Sequence, residues 1–147
     1  MSKSPKNKTI DLTIDEGMNY LNRCVRLDTC RTIRPDCTVC ADMFDACNRI
    51  PDRCIDLVIA DPPYNLNKTF NDDNFNCMKD SQYEEYTQSW LKEIIHTMKP
   101  DGSIYVCCDW KSSLIIGRVL SGFFKVRNRI TWQREKGRGA KANWKNG

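Results

Sequence analysis

The sequence contains little of what two common classes of protein require. It has one histidine, His96, in 147 residues, and no run of apolar residues approaches the roughly 20 that a membrane helix needs. A mechanism with a histidine base would depend on this residue, which lies inside a predicted helix. The basic N-terminus, MSKSPKNKT, is not followed by the apolar segment of a signal peptide. We predict a cytoplasmic chain that does not bind membranes and whose residues 1–12 form a basic mobile tail.

Cysteine, in contrast, is abundant, with nine residues. Because this number is odd and no export signal is visible, we predict reduced thiols rather than a disulfide framework. Cys37 and Cys40 form a CxxC pair after Cys24 and Cys30, but no second pair follows at zinc-finger spacing. We therefore predict no metal site and buried cysteines that behave as small hydrophobic side chains, with a structural zinc as the alternative.

The net charge of +4 is concentrated near the C-terminus. Residues 131–147 contain five basic residues and one acidic residue, and Trp132 and Trp144 lie among them. A basic segment with aromatic residues and glycines suits a polyanion such as nucleic acid. The alternative is a solvated loop without a ligand.

Helices are predicted in four segments. TIDE, from Thr13 to Glu16, fits a capping box that begins a helix ending near Arg26, and FDACNRIPD fits a short helix. SQYE, from residue 81, fits a second box, followed by an apolar stripe that ends at KPDG, where proline and glycine stop helices. SSLIIGRVLSG predicts a helix that ends near Gly122.

Strands are predicted between these helices, in the segments CTVCADM, which ends near Asp42, IDLVIA, SIYVCCD and FFKVRNRITWQ. IDLVIA is apolar except for Asp56 and lacks alternation, which is typical of the buried centre of a parallel sheet. The polar residues 65–80 predict a loop. Two strands joined by a long helix imply a right-handed parallel crossover, so the predicted fold class is α/β with an open, doubly wound sheet.

The sequence DPPY, residues 61–64, directly follows the most apolar predicted strand. Ligands of such sheets bind outside the carboxyl ends of the strands. Pro62 and Pro63 have fixed φ angles and no N–H, so their carbonyls act only as acceptors. With the Asp61 carboxylate they form a group of acceptors beside the aromatic ring of Tyr64. The alternative is that these residues are only a stiff turn.

Such a group of acceptors suits the planar amino group of a nucleobase. Two acceptors aimed at its N–H bonds would localise the nitrogen lone pair, so that the nitrogen could attack a positioned methyl donor. The base must leave the duplex, at a cost of a few kcal/mol. Stacking on Tyr64, worth about 1–3 kcal/mol, would offset much of that cost.

DLVIADPPYNL resembles the catalytic motif of amino-group DNA methyltransferases. ADMFDA, the aromatic helix, KPDGSIYVCCD and RNRITWQREKGRG also resemble, in this order, the catalytic part of adenine N6-specific enzymes from restriction–modification systems. The resemblance covers Thr38 to Gly147. It implies a Rossmann-like sheet, S-adenosyl-L-methionine as cofactor, and methyl transfer to N6 of an adenine flipped out of double-stranded DNA. Aspartate rather than serine at position 61 favours adenine over cytosine.

The resemblance also implies roles for individual residues. Asp61 and the carbonyl of Pro62 would hold the target amine, with Pro63 and Tyr64 completing the catalytic motif. Asp42 would contact the adenine of the cofactor, and Asp61 would also belong to the cofactor site. Asn65 and Lys68 would lie at the mouth of the site and contact DNA. Lys136, Arg138 and Lys141 would contact phosphates, independently of the DNA sequence.

One motif of that family, Phe-x-Gly-x-Gly, is absent from the sequence. In a permuted class of these enzymes the catalytic region comes first, and the chain resembles that N-terminal portion. Residues 13–147 would then be the catalytic part of a domain without its cofactor motif or target-recognition region, from a truncated or split enzyme. Alone, such a piece should be inactive and prone to aggregation, and a C-terminal half is a candidate partner. The alternatives are a methyltransferase acting on amino groups of RNA or protein, and a non-catalytic DNA-binding remnant or partner subunit.

Overall fold

A computed structural model of the chain describes residues 10–70 and 73–132, and for residues 68–70 and 73–74 it describes the backbone. Most of the predicted N-terminal tail therefore lies outside the described residues. None of the helices in these ranges is both long and apolar enough to cross a membrane. The elements follow one another as α1 (Ile14–Asn22), α2 (Met43–Cys47), β1 (Ile55–Ala60), β2 (Lys68–Phe70), β3 (Asp73–Phe75), α3 (Asp80–Ile95), β4 (Met98–Val106) and α4 (Ser112–Ser121).

Strands β1 and β4 form a two-stranded parallel sheet, and α3 connects them. The predicted strand–helix–strand crossover and the α/β class are confirmed for this unit. One face of the sheet packs against α3 and α4, where Trp90, Leu91 and Val119 form the centre of the core. Alternate sheet residues, among them Ala60 and Ile104, contact that centre, as the two-residue period of a strand requires.

The opposite face of the sheet is bare within the described residues. Leu57 is 50% exposed, Ile59 70% and Tyr105 52%, and Ile59 lies beside Tyr105 in the register. The prediction that IDLVIA is a fully buried strand is therefore wrong, because helices cover only one of its faces. Since parallel sheets are normally covered on both faces, this apolar surface is suited to contact with further polypeptide.

Helix α3 begins before the predicted capping box. The side chain of Gln82 accepts a hydrogen bond from the Lys79 N–H at 3.1 Å, so the helix starts at Asp80 and Ser81 is not its cap. The helix ends at Ile95, and KPDG lies inside β4 rather than stopping α3. Gly102 is needed there for a different reason. A Cβ on it would lie 3.0 Å from the Lys99 carbonyl oxygen and 3.2 Å from that of Ile55.

Three segments outside the sheet differ from the predictions. Instead of a strand, CTVCADM forms a single β-bridge, in which Val39 pairs with Val25. The segment FFKVRNRITWQ, predicted as a strand after α4, forms no strand or bridge up to Trp132. A strand forms only where its N–H and C=O groups meet a partner strand over several residues, and no described segment offers either of them such a partner. In the predicted loop 65–80, β2 and β3 pair antiparallel, with Lys68 opposite Phe75.

Two helix ends agree with the predictions, the start of α1 and the end of α4. Thr13 and Glu16 form the predicted capping box of α1, with Thr13 N–H donating to Glu16 Oε2 at 2.8 Å. The helix ends at Asn22, short of the predicted end, and none of its residues is buried. Helix α4 ends before Gly122, as predicted.

The cysteines are mostly not core residues. Of the nine free thiols, Cys47 is buried, whereas five are exposed and the others are half-buried. The prediction of buried cysteines is therefore wrong, because most of them lie in connecting segments. No group of three or more histidine, cysteine or acidic side chains in the described ranges is arranged to hold a metal ion.

Candidate active site

The DPPY motif, residues 61–64, lies at the carboxyl edge of the parallel sheet. Asp61 directly follows β1, and Cys107 directly follows β4. The Cys107 N–H donates to the Ala60 carbonyl at 2.8 Å, so the two strands stay paired up to this edge. Because the strands are parallel, the loops that follow both of them meet at the place where α/β sheets bind ligands.

Asp61 and Tyr64 contact each other through a hydrogen bond. The Tyr64 O–H donates to Asp61 Oδ1 at 3.2 Å, and from the described part of the chain Asp61 Oδ2 receives no hydrogen bond. Asp61 is exposed and Tyr64 is half-buried. Burial, and then the negative charge and hydrogen bond of Asp61, raise the pKa of Tyr64 to about 12. The Tyr64 hydroxyl therefore remains a neutral donor at physiological pH.

The two proline carbonyls of the motif are not equivalent. Tyr83 of α3, which is completely buried, donates its hydroxyl hydrogen to the Pro63 carbonyl at 2.9 Å. One of the two lone pairs of the Pro63 carbonyl oxygen is therefore already engaged, and its availability to a ligand stays a prediction. The Pro62 carbonyl accepts no backbone hydrogen bond from the described residues.

Asn65, expected to lie at the mouth of the site, anchors the loop after the motif. Its side-chain Nδ2 donates to the Met78 carbonyl at 2.9 Å, and its Oδ1 accepts from the Met78 N–H at 2.7 Å. Its own N–H donates to Ser112 Oγ at 3.3 Å. Both ends of the amide are thus already engaged, and a DNA contact from Asn65 stays a prediction. Lys68 begins β2, whereas Lys136, Arg138 and Lys141 lie outside the described residues.

Asp42, predicted to contact the cofactor, is the N-cap of α2, where its Oδ1 accepts from the Phe44 N–H at 2.8 Å. It also lines an open groove of about 460 Å³ beside α1 and α2. The groove has apolar walls that include Leu21 and Leu27, and acidic residues that include Asp28 and Asp45. Residues 61–64 do not line this groove, and a contact of Asp42 with the cofactor stays a prediction.

Two residues near the motif were not predicted from the sequence: Tyr83, which contacts Pro63, and Ser112, which contacts Asn65. Tyr83 belongs to the apolar stripe of α3 and was expected only to pack in the core. Ser112 is the first residue of α4, and its N–H donates to Asp109 Oδ1 at 2.7 Å. The spacing of an aspartate three residues before a serine signals a helix start, but it does not reveal that the serine reaches residue 65.

Comparison with known proteins gives this site a context. The family described as "DNA methylase", of the N6/N4 type, matches residues 55–146, which is more than half of the chain. The chain belongs to the N6/N4 DNA methylase family. The match begins at the first residue of β1, and it includes the DPPY motif, Tyr83 and Ser112. The resemblance to DNA methyltransferases inferred from the sequence is confirmed at the level of the family.

Two relatives of this methylase chain are type II methyltransferases. It is 35% identical over 106 residues to "Type II methyltransferase M.HpaI" of Haemophilus parainfluenzae, a match that covers 69% of this chain and 32% of the relative. It is 29% identical over 92 residues to "Type II methyltransferase M.BamHI" of Bacillus amyloliquefaciens, covering 63% of this chain and 21% of the relative. The chain therefore spans about a third and about a fifth of the length of these two proteins.

Proposed function

We propose that this chain is the catalytic part of a site-specific DNA methyltransferase, acting in the cytoplasm as part of a restriction–modification system. Its reaction is the transfer of a methyl group from S-adenosyl-L-methionine to N6 of an adenine flipped out of double-stranded DNA. The observation that carries this proposal is the pair of acceptors at Asp61 and Pro62. They lie at the carboxyl edge of a parallel sheet, beside Tyr64, in a chain of the DNA methylase family.

The chemistry of the amine explains why two acceptors are needed. The exocyclic nitrogen is a weak nucleophile because its lone pair is delocalised into the ring. Asp61 Oδ2 and the Pro62 carbonyl would accept hydrogen bonds from its two N–H groups. These bonds would favour a tetrahedral nitrogen, whose lone pair is available for attack. Tyr64, hydrogen-bonded to Oδ1, orients the carboxylate, and its ring would stack on the base.

The groove beside Asp42 supports the binding of S-adenosyl-L-methionine. Its volume of about 460 Å³ lies within the roughly 300–1,000 Å³ that is common for ligand sites. Apolar walls suit a purine ring, and carboxylates can accept hydrogen bonds from amino and hydroxyl groups, so the residues fit a nucleoside. Asp42 would hold the adenine of the cofactor, and the cofactor when bound supplies the methyl group.

The remainder of a Rossmann-like domain would come from a further polypeptide that completes the sheet. Two observations support this: the apolar face of Leu57, Ile59 and Tyr105 is uncovered in the described part of the chain, and the chain spans about a third of the relative M.HpaI. Without that polypeptide we expect little methyl transfer, because part of the cofactor site and the region that selects the DNA sequence would be missing. The contact of the basic residues Lys136, Arg138 and Lys141 with phosphates belongs to the same proposal.

The test is transfer of tritiated methyl groups from S-adenosyl-L-methionine to duplex DNA, RNA and protein. The chain is assayed alone and co-expressed with the polypeptide encoded directly downstream, a pairing called here the complemented enzyme. We expect transfer to adenine N6 of DNA by the complemented enzyme and little by the chain alone. Asp61→Ala should abolish transfer and leave DNA binding nearly intact. Asp101→Ala, which removes an exposed carboxylate near the other end of the sheet, is the matched control.

Each other outcome assigns a different function. Methylation of RNA or protein but not of DNA would show that the substrate is RNA or protein. DNA binding that survives Asp61→Ala, with no methyl transfer in any combination, would make the chain a non-catalytic binding subunit. Full activity of the chain alone would refute the requirement for a second polypeptide.

A further inference from the structure

Two hydrogen bonds connect the DPPY motif and the residue after it to the two helices that cover the sheet. Tyr83 of α3 donates to the Pro63 carbonyl at 2.9 Å, and Ser112 Oγ of α4 accepts from the Asn65 N–H at 3.3 Å. The two helices therefore hold the backbone on both sides of Tyr64.

The side chains of Tyr83 and Ser112 are both buried, so water cannot readily take the place of either partner in these hydrogen bonds. Tyr83 is 0% exposed and Ser112 2%. A buried hydroxyl without a partner is costly. The ring of Tyr83 packs against Tyr86, with centroids 5.9 Å apart, and a phenylalanine could make that contact equally well. The hydroxyl therefore has one evident use, which is to hold the turn.

The two anchored backbone groups, at residues 63 and 65, lie on either side of Tyr64. Holding them fixes the two peptide units that flank Tyr64. Because the ring of Pro63 fixes its φ angle, the direction of the Pro62 carbonyl is set as well. We propose that Tyr83 and Ser112 are positioning residues that set the direction of the Pro62 carbonyl and of Tyr64 at the candidate site. The consequence for catalysis depends on the proposed function, whereas the consequence for the turn does not.

The first test uses Tyr83→Phe and Ser112→Ala in the full chain, with Tyr86→Phe as the matched control. Tyr86 lies on the same helix and stacks on Tyr83, and the structure shows no hydrogen bond between its hydroxyl and residues 61–65. Amide hydrogen exchange is measured at Asn65, with Ile104 in the core strand as the internal reference. Loss of a hydrogen bond worth about 0.5–1.5 kcal/mol predicts exchange at Asn65 about two- to tenfold faster in the first two variants. Tyr86→Phe should leave the ratio of the two exchange rates unchanged.

The second test measures steady-state kinetics in the complemented enzyme. A displaced acceptor lowers the rate of the chemical step more than it weakens binding. For Tyr83→Phe we expect kcat to fall about ten- to a hundredfold, with the KM values for DNA and S-adenosyl-L-methionine within about twofold of wild type. The Tyr86→Phe enzyme should keep the wild-type kcat.

Two results would overturn the proposal. One is equal exchange at Asn65 in the Tyr83→Phe and Tyr86→Phe chains. The other is a Tyr83→Phe enzyme whose kcat matches that of the control. If the wild-type complemented enzyme transfers no methyl group, the proposed function fails, and the exchange comparison still decides whether Tyr83 and Ser112 position the turn.

Discussion

Tyr64 combines two features whose effects can be separated, a ring and a hydroxyl. Tyr64→Phe removes the O–H that donates to Asp61 and keeps the ring, whereas Tyr64→Ala removes both. If stacking on the extruded base is the main contribution of Tyr64, the two variants should differ strongly in methyl transfer. If orientation of the carboxylate dominates, they should be similar.

The structure sets the expected magnitudes. The Tyr64–Asp61 distance of 3.2 Å is longer than the roughly 2.5–2.7 Å of a strong hydrogen bond between a hydroxyl and a carboxylate. Asp61 is also exposed, so water competes for its oxygen. We therefore expect the bond to contribute less than about 1 kcal/mol. Stacking of a base is worth about 1–3 kcal/mol, which corresponds to about a 5- to 150-fold change in rate.

The assay is kcat/KM for methyl transfer to duplex DNA by the complemented enzyme. Tyr64→Phe should stay within about fivefold of wild type, and Tyr64→Ala should lose about 5- to 150-fold. A DNA substrate with a mismatch at the target adenine is an informative addition. Because its base is easier to extrude, the loss in Tyr64→Ala should be smaller on this substrate.

The pH dependence of folding gives an independent check on the hydroxyl. The pKa of Tyr64 is raised from its ordinary value near 10 to about 12, so the folded chain holds this proton more tightly than the unfolded chain does. The associated stabilisation is present below pH 10 and is lost as the pH rises towards 12. The free energy of unfolding, measured with urea, should depend on pH in the same way for wild type and Tyr64→Phe from pH 6 to 9. Above pH 10 the wild type should lose more stability.

Equal and large losses of transfer in Tyr64→Phe and Tyr64→Ala would refute the reasoning about stacking. The hydroxyl and its bond to Asp61 would then be the essential feature, and the ring would serve only to carry it.

Further predictions concern the fold and the DNA contact. Gly102→Ala should lower the free energy of unfolding by about 1–3 kcal/mol, because the backbone oxygens 3.0–3.3 Å from the new Cβ cannot move away easily. Gly117→Ala is the control, since a Cβ at that position in α4 meets no atom within 4 Å, and it should stabilise by about 0.5–1 kcal/mol. Lys136→Ala should weaken DNA binding by a similar factor for all sequences and reduce the slope of log K against log salt by about 1, and an unchanged slope would argue against a phosphate contact.

The sequence by itself predicted features that depend on neighbouring residues along the chain. The capping box at Thr13, the helix that ends before Gly122, and the apolar segments of β1 and β4 all follow from local spacing and side-chain type. The order of strand, helix and strand then indicated a parallel crossover, because a long helix between two strands is typical of a strand–helix–strand unit. The position of the DPPY motif directly after β1 follows from the same pattern, whereas the resemblance to DNA methyltransferases depends on the motif residues themselves.

Only the tertiary structure decided which groups of the site are already bound and which remain available. The Tyr83–Pro63 hydrogen bond joins residues 20 positions apart, and the Asn65–Ser112 bond joins residues 47 positions apart. No periodicity in the sequence encodes such contacts, because they depend on how helices pack on the sheet. The same packing determines that Ile59 is exposed although the second half of its strand, from Leu57 to Ala60, is apolar. Local patterns state what a residue can do, whereas the partners that surround it in three dimensions determine which of those possibilities it uses.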